Sequence, residues 1–285
     1  EDQDRYVRWR AAGALGSAFP NVPDKEEAWM DLHKLTGNQD SDVRLRAADA
    51  LGAVFPNVPD KEAAWKDLIR LTGDQDRDVR MEAAVALGAV FPSVPDKEAA
   101  WMDLHRLTGD QNSDVRQRAA SALRSVFPSV PDKEAAWMDL HRLTEDQDSD
   151  VRQRAADALR SVFPSVPDKE AAWMDLHRLT GDQNSYVRME AAVALRSVFP
   201  SVPDKESAWK DLHRLTGDQD SGVRRWAADA LGAVFPSVPD KEPAWKDLHK
   251  LTGDQDSGVR WWAADALRSV FPSVPDKESA WKDLI

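Results

Sequence analysis

The chain has 285 residues, 42% hydrophobic and 31% charged, with 38 Lys plus Arg against 50 Asp plus Glu and a formal net charge of −12. That acid excess argues against a nucleic-acid binder, which needs basic stripes. The lack of cysteine excludes disulfides and thiolate metal sites, and no apolar run approaches the roughly 18 residues of a membrane span.

The chain opens on Glu1 with no visible signal segment, so a native start is expected upstream or already removed. The motif VPDK then begins at Val22, Val58, Val94, Val130, Val166, Val202, Val238 and Val274, always 36 residues apart. Eight repeats account for the whole chain, so the reading is a single solenoid domain over 1–285.

Repeat 2 serves as the template. Its first periodic segment, 42–55, carries Val43, Ala47, Ala50, Leu51 and Val54 at steps of three and four, which predicts an amphipathic helix. Asp40 and Ser41 suit its start. Pro56 is expected to close it by disfavouring the α conformation of Phe55. The second segment, 61–71, puts Ala64, Trp65, Leu68 and Leu71 on one face, with Asp60 as its N-cap. Pro243 in repeat 7 supports that register, because proline is tolerated in a first helical turn. Gly73 suits the helix end, but Glu145 holds the same slot in repeat 5, so positive φ is not required there. No segment alternates with period two. The expectation is about sixteen helices stacked in pairs, an all-α solenoid in which neighbours share one core.

The repeats are not identical. In the first helix the changing positions are those of Asp42, Leu45, Arg46, Asp49 and Ala53, which fall within a stripe roughly 100° wide opposite Val43, Ala47 and Leu51. In chain order the stripe reads Tyr6 and Trp9, then Leu45 and Arg46, Met81 and Glu82, Gln117 and Arg118, and Gln153 and Arg154. Repeat 6 contributes Tyr186, Met189 and Glu190, repeat 7 Arg225 and Trp226, and repeat 8 Trp261 and Trp262. In the second helix Lys61, Glu62 and Asp67, all expected to be exposed, are the same in every repeat. Change confined to one stripe predicts a surface diversified for recognition. The first helices pack through alanine and the second through Trp and Leu, so the first should form the closer, inner row and the stripe should line a concave face.

The patterns DxxVRxxAAxALG and PDKExAW resemble HEAT-like repeats of the phycobilisome-lyase type, common in archaea and bacteria, and the artificial repeat proteins built from them. The resemblance covers all eight repeats. It implies a right-handed superhelix whose VRxxAAxALG helix lines the concave face, with the x positions as the binding surface. The sequence departs from the family in its longer inter-helix turn, FPSVPD, and in Arg124, Arg160, Arg196 and Arg268 where the last Gly stands. The family also includes enzymes. HEAT-like hydroxylases bind iron through His-Glu pairs, and here every His precedes Lys or Arg. HEAT-like DNA glycosylases use basic grooves with aromatics. Trp226, Trp261 and Trp262 imitate the aromatics without the basic charge.

Four other patterns point to structure or to ends. His33, His105, His141, His177, His213 and His249 share a slot with Ile69 and Ile285, which reads as semi-apolar packing rather than a metal site. The DQDRD run at 74–78 lacks the Gly and Glu of a calcium loop. Asp40 is expected to cap its helix and join an inter-repeat Asp–Arg ladder with Arg44 or its neighbour, weakened by Asn112 and Asn184. No polar repeat caps either end, which implies a longer array or stacking of ends on other copies. The functional reading is a scaffold that binds a protein on its concave, variable face. The alternatives are a structural protein assembling through its ends and, less favoured, a HEAT-like enzyme. No cofactor, metal, nucleic acid or membrane is called for, and no compartment is indicated.

Overall fold

The computed structural model describes residues 4–274 and 277–278. Among the described residues there are fifteen α-helices, each first helix joined to its second by a short 3₁₀ turn. Apart from residues 277–278, which are helical, the sixteenth expected helix lies outside the described residues. Two compact halves divide the chain, Glu1–Leu143 and Thr144–Ile285.

The first half contains α1 (Arg5–Ala18), α2 (Lys25–Thr36), α3 (Ser41–Val54), α4 (Lys61–Thr72), α5 (Arg77–Val90), α6 (Lys97–Thr108), α7 (Ser113–Val126) and most of α8 (Lys133–Thr144). The second contains α9 (Ser149–Val162), α10 (Lys169–Leu179), α11 (Ser185–Val198), α12 (Lys205–Thr216), α13 (Ser221–Val234), α14 (Lys241–Thr252) and α15 (Ser257–Val270). In each half the odd-numbered helices pack closely on one another in a row, while the even-numbered ones touch their own row far less.

The caps follow the sequence. Asp40 accepts hydrogen bonds from the N–H groups of Asp42 and Val43, and Asp60 from that of Ala63. In α14 the corresponding position is Pro243, which has no N–H, and Asp240 turns to the N–H of Glu242 at 3.0 Å instead. No described glycine has positive φ, so Glu145 fits the turn that Gly73 occupies in repeat 2.

One expectation about the helix end fails. Phe55 is itself α-helical (φ −47°, ψ −41°), and its N–H still donates to Leu51. Pro56 therefore ends the α-helix by lacking an N–H rather than by excluding Phe55 from the α region, and the chain tightens into a 3₁₀ turn over Phe55–Asn57. Full burial of Phe55, beside buried Val58, offsets the unfavourable pre-proline geometry.

The core is the expected one. Val43, Ala47, Ala50, Leu51 and Val54, and Ala64, Trp65, Leu68 and Leu71, are all buried. Small residues let the first helices touch: a Cβ added to Gly52 would lie 2.9 Å from the Cβ of Ala86. Gly16, Gly88 and Gly232 meet Ala50, Ala122 and Ala266 in the same way. Where Arg160 and Arg196 replace this glycine, so close an approach is sterically barred, and the facing Ala194 and Ala230 are fully buried.

Polar contacts then lock one repeat to the next. Arg44 donates from Nε and Nη2 to both oxygens of Asp74 at 2.7 and 2.8 Å, and from Nη1 to the carbonyls of Asn38 and Gln39 in its own loop. Arg80–Asp110, Arg152–Asp182, Arg188–Asp218 and Arg224–Asp254 repeat the arrangement. The ladder exists, but its acid is not the one expected. It is the residue two before the cap, so Asn112 and Asn184 do not weaken it and serve as N-caps.

A second ladder runs along the other row and adds a polar bond to the packing expected of the histidines. His33 Nδ1 lies 2.5 Å from Asp67 Oδ2, and His105–Asp139, His177–Asp211 and His213–Asp247 repeat the contact within 2.6 Å. Each of these rings also packs on the tryptophan one turn before it in its own helix. Arg70 joins by donating to Asp67 and to Thr36 of the preceding repeat. Asp67 is accordingly buried, not exposed. Its constancy reflects this bond, and only Lys61 and Glu62 remain as unchanging exposed letters. The second helix also varies at exposed slots: Met30, Met102, Met138 and Met174 stand where other repeats have lysine, Lys34 and Lys250 where others have arginine, and Glu27 where others have Ala, Ser or Pro.

Two predictions follow from this architecture. Leu51→Ala should cost roughly 2–5 kcal/mol in denaturant unfolding as a core truncation, while Asp49→Ala, which loses only a half-exposed pair with Arg46, should stay within about 1 kcal/mol. Equal losses would mean the faces of α3 are assigned wrongly. The second prediction concerns acid. Burial pushes the carboxyls of Asp74, Asp110, Asp182 and Asp218 up, but the partner guanidinium and a backbone N–H outweigh it and leave each below the ordinary value of 3.8. Their contribution is complete above that value and is lost as pH falls through the lower folded values. Burial instead raises Glu82, Asp229 and Asp247, whose ionisation opposes folding and is relieved by acid. The urea midpoint should therefore hold or rise slightly down to about pH 4 and fall below it. A steady fall from neutrality would contradict the ladder.

Candidate functional site

The stripe lies on the side of the first helices turned away from their buried Val, Ala and Leu, and it is more closely packed than a free surface. In the first half Tyr6 and Arg118 are exposed, while Trp9, Leu45, Arg46, Met81, Glu82 and Gln117 are half-buried. Each half-buried side chain leans on its neighbours. The Arg46 guanidinium sits over the Trp9 ring, 5.3 Å from its centroid, and donates to Asp49 at 2.6 Å. Burial, then Asp49, push the Glu82 carboxyl up, and Arg118 and Arg46 pull it back in part. A small hollow of about 190 Å³ opens beside Tyr6 and Trp9, walled by Arg5, Asp40 and Asp42.

In the second half Arg154, Tyr186 and Trp261 are exposed, and Gln153, Met189, Glu190, Arg225, Trp226 and Trp262 are half-buried. The three tryptophans come together as the spacing implied. Trp226 and Trp262 lie 5.7 Å apart, tilted by 34°, and Trp261 meets Trp262 edge-on at 5.2 Å. Trp261 stays 61% exposed at the end of this cluster. Beside Trp226 a hollow of about 240 Å³ is floored by Met189 and Val193 and rimmed by Arg154, Asp157, Arg160 and Glu190.

Two details differ from the sequence reading. Trp262 does not stand free: it packs against the buried Ala228, Leu251, Val259 and Ala263. At the helix starts, a Cβ added to Gly222 or Gly258 would lie 3.0 Å from the cap oxygen of Asp220 or Asp256, and 3.8 Å from Met189 Sδ or 3.9 Å from Arg225 Cδ. A further cavity, of about 490 Å³, lies away from the stripe between α1 and α2. Its walls include Val7, Ala11, Ala14, Leu15 and Leu35, the positions that each later repeat buries against its predecessor.

Among the described residues no three His, Asp or Glu side chains are grouped to hold a metal. The histidines face the neighbouring aspartates on the other row. No described helix is long and apolar enough to cross a membrane. Sequence reasoning missed the His–Asp and Arg–Thr bonds. Their signal was an Asp and a Thr that stay the same in every repeat that reaches them, each 34 residues, two short of a repeat, from the His or Arg it meets.

Two stacked rows of paired helices, locked by a residue ladder, define an α-solenoid. The chain belongs to the HEAT repeat family, whose model matches in overlapping windows at 1–88, 34–124, 66–160, 102–196, 140–232 and 176–268. A search of curated proteins found no match. Among solved structures, yeast importin-beta (Kap95p) aligns over 99% of this chain at 15% identity and a TM-score of 0.70. A chain from the structure of Kap95p with RanGDP aligns over 97% at 15% identity and 0.72. Both show likeness of fold, and this chain spans about two fifths of their length, 41% and 40%. An engineered protein is 27% identical over 72% of this chain and 97% of its own, with a TM-score of 0.52.

The packing of the tryptophans separates them in a melt. Trp262→Ala removes a ring seated on core residues and should cost about 1–3 kcal/mol. Trp261→Ala should stay within about 0.5 kcal/mol. The reverse order would mean that the two rings exchange roles.

Proposed function

We propose that this protein is a binding scaffold whose variable first-helix stripe contacts a protein partner. The observation that carries the reading is the contrast between slots in one helix. The Val43, Ala47 and Leu51 slots hold the same residue in every repeat and are buried from α3 to α15. The Leu45 slot holds Leu, Met, Gln, Arg and Trp on the side turned away from them. Change is concentrated where a partner could feel it. The unchanging exposed Lys61 and Glu62 on the second helix show that exposure alone does not cause drift.

The closer packing of the first helices supports placing them on the inner row, so the stripe would face a concavity. The 36-residue period runs unbroken through residues 143 and 144, which supports one continuous array over 1–285. Neighbours in fold include Kap95 in complex with Nup1, a protein partner, which suits the same use here. The ladders supply positioning, and nothing on the stripe pairs a nucleophile with a base, which favours a scaffold over an enzyme.

The test is selection of binders from a random peptide display library against the protein, followed by Trp261→Ala. Exposed aromatics dominate interface energetics, so the substitution should weaken selected binders by about 2 kcal/mol or more. It should leave the melting temperature unchanged. Binders indifferent to every stripe substitution would overturn the reading. A mass that grows with concentration, lost on substitution of Val7 but not of Trp261, would favour assembly through the ends instead.

A further inference from the structure

We infer that the stripe of the C-terminal half takes a peptide with an apolar anchor flanked by carboxylates, which meet Arg154 and Arg225. This rests on the reading of the stripe as the contact surface and names the chemistry of its partner.

The charge pairing of that surface points one way. Three of its acids form ion pairs within the chain. Asp157 accepts from Arg160 at 2.6 Å, Asp229 lies 3.3 Å from Arg196, and Asp265 accepts from Arg268 at 2.6 Å. Glu190 is also engaged within the chain. Arg154 and Arg225 form no ion pair among the described residues, although the protein as a whole has a net charge of −12. Arg154 is exposed on the rim of the hollow beside Trp226, and Arg225 precedes Trp226 and reaches across the start of α15.

The sequence removes the acid that would oppose such a partner. Repeats 2 to 5 carry Asp42, Asp78, Asp114 and Asp150 in the first turn of their first helix. Repeats 6 to 8 carry Tyr186, Gly222 and Gly258 there, beside the tryptophans. Asp150, exposed one turn before Arg154, is the one such acid left in this half. A carboxylate at the start of α15 thus meets Arg225, and one at the hollow beside Trp226 meets Arg154, neither of them held in an ion pair among the described residues.

The apolar part of the partner is set by the floor. Met189 and Val193 line the hollow, and Trp226 closes one side. A side chain of leucine or phenylalanine size fits about 240 Å³, and Trp261 offers a further exposed ring. Arginine and tryptophan also suit single-stranded nucleic acid. A continuous phosphate backbone would have to pass Asp157, Asp229 and Asp265 on the same face, whereas a peptide can place its charges only at the arginines.

The test uses short, end-capped, dye-labelled peptides with leucine and phenylalanine anchors and flanking Glu, Gln or Lys, measured by fluorescence anisotropy with the full chain. An oligothymidylate is run beside them. The Glu peptide should bind about tenfold more tightly than the Lys peptide in low salt, with the gap narrowing as salt rises. Arg154→Glu with Arg225→Gln should abolish that preference. Both replacements put into these slots residues that other repeats already hold, Glu82 and Gln117, so folding should survive and is checked by circular dichroism. Equal binding of the three peptides, or preference for Lys, overturns the charge assignment while leaving the stripe as a contact surface. Tighter binding of the oligothymidylate overturns it in favour of nucleic acid. No binding by any probe overturns both readings.

Discussion

The stack depends on first helices close enough to touch. A Cβ at Gly52 would sit 2.9 Å from that of Ala86, and the next helix pair repeats the approach at Gly88 and Ala122. Helices packed this closely leave little room for large side chains between them, so the inter-repeat face is mostly Ala, Gly, Val and Leu, with arginine at the glycine slot in four repeats. Arg44 and its equivalents then fix the register. Each guanidinium grips its own loop through two carbonyls and the next loop through one carboxylate, so a slip would strand a largely buried charge.

This constraint divides each first helix into two kinds of position. Those facing neighbouring repeats cannot change without loss of the stack. Those facing away are released from it, and there Leu45, Met81, Gln117, Gln153, Met189, Arg225 and Trp261 occupy one slot in turn. The division is not complete. Trp262 shares its ring between the stripe and the core, and Arg46 is spent on Trp9 and Asp49 rather than held free. The side chains of the stripe brace one another, which pre-organises the surface they present.

Helix positions, caps and core were legible because period, cap residues and burial are local properties. Asp60 could be named as a cap from Pro243 alone, and the fold class followed from a strict 36-residue period. Pairings between repeats were harder. Several aspartates recur in every repeat, and composition cannot say which one an arginine meets. Asp74 rather than Asp76 takes Arg44's counterpart role because the cap carboxylate is already turned to its own helix. The polar side of the histidines was missed for a related reason. Ile69 fills their slot once, which suggests an apolar site, but the ring rests one side on tryptophan and turns a nitrogen to the next repeat's aspartate. The half-burial of the stripe was hidden because a helical wheel shows one helix and not the adjacent one that leans over it.

Arg152 and Arg154 stand two residues apart on α9 and belong to opposite sides of this division. Arg152 donates to both oxygens of Asp182 and to its own loop, and Arg154 is exposed without an ion pair among the described residues. Equilibrium unfolding of Arg152→Gln and Arg154→Gln in parallel compares them directly. The account predicts a loss of about 1.5–3 kcal/mol for the first, because a buried carboxylate loses its charged partner, and a change within about 0.5 kcal/mol for the second. Equal losses, or a larger loss at Arg154, would contradict the separation of stack from recognition surface.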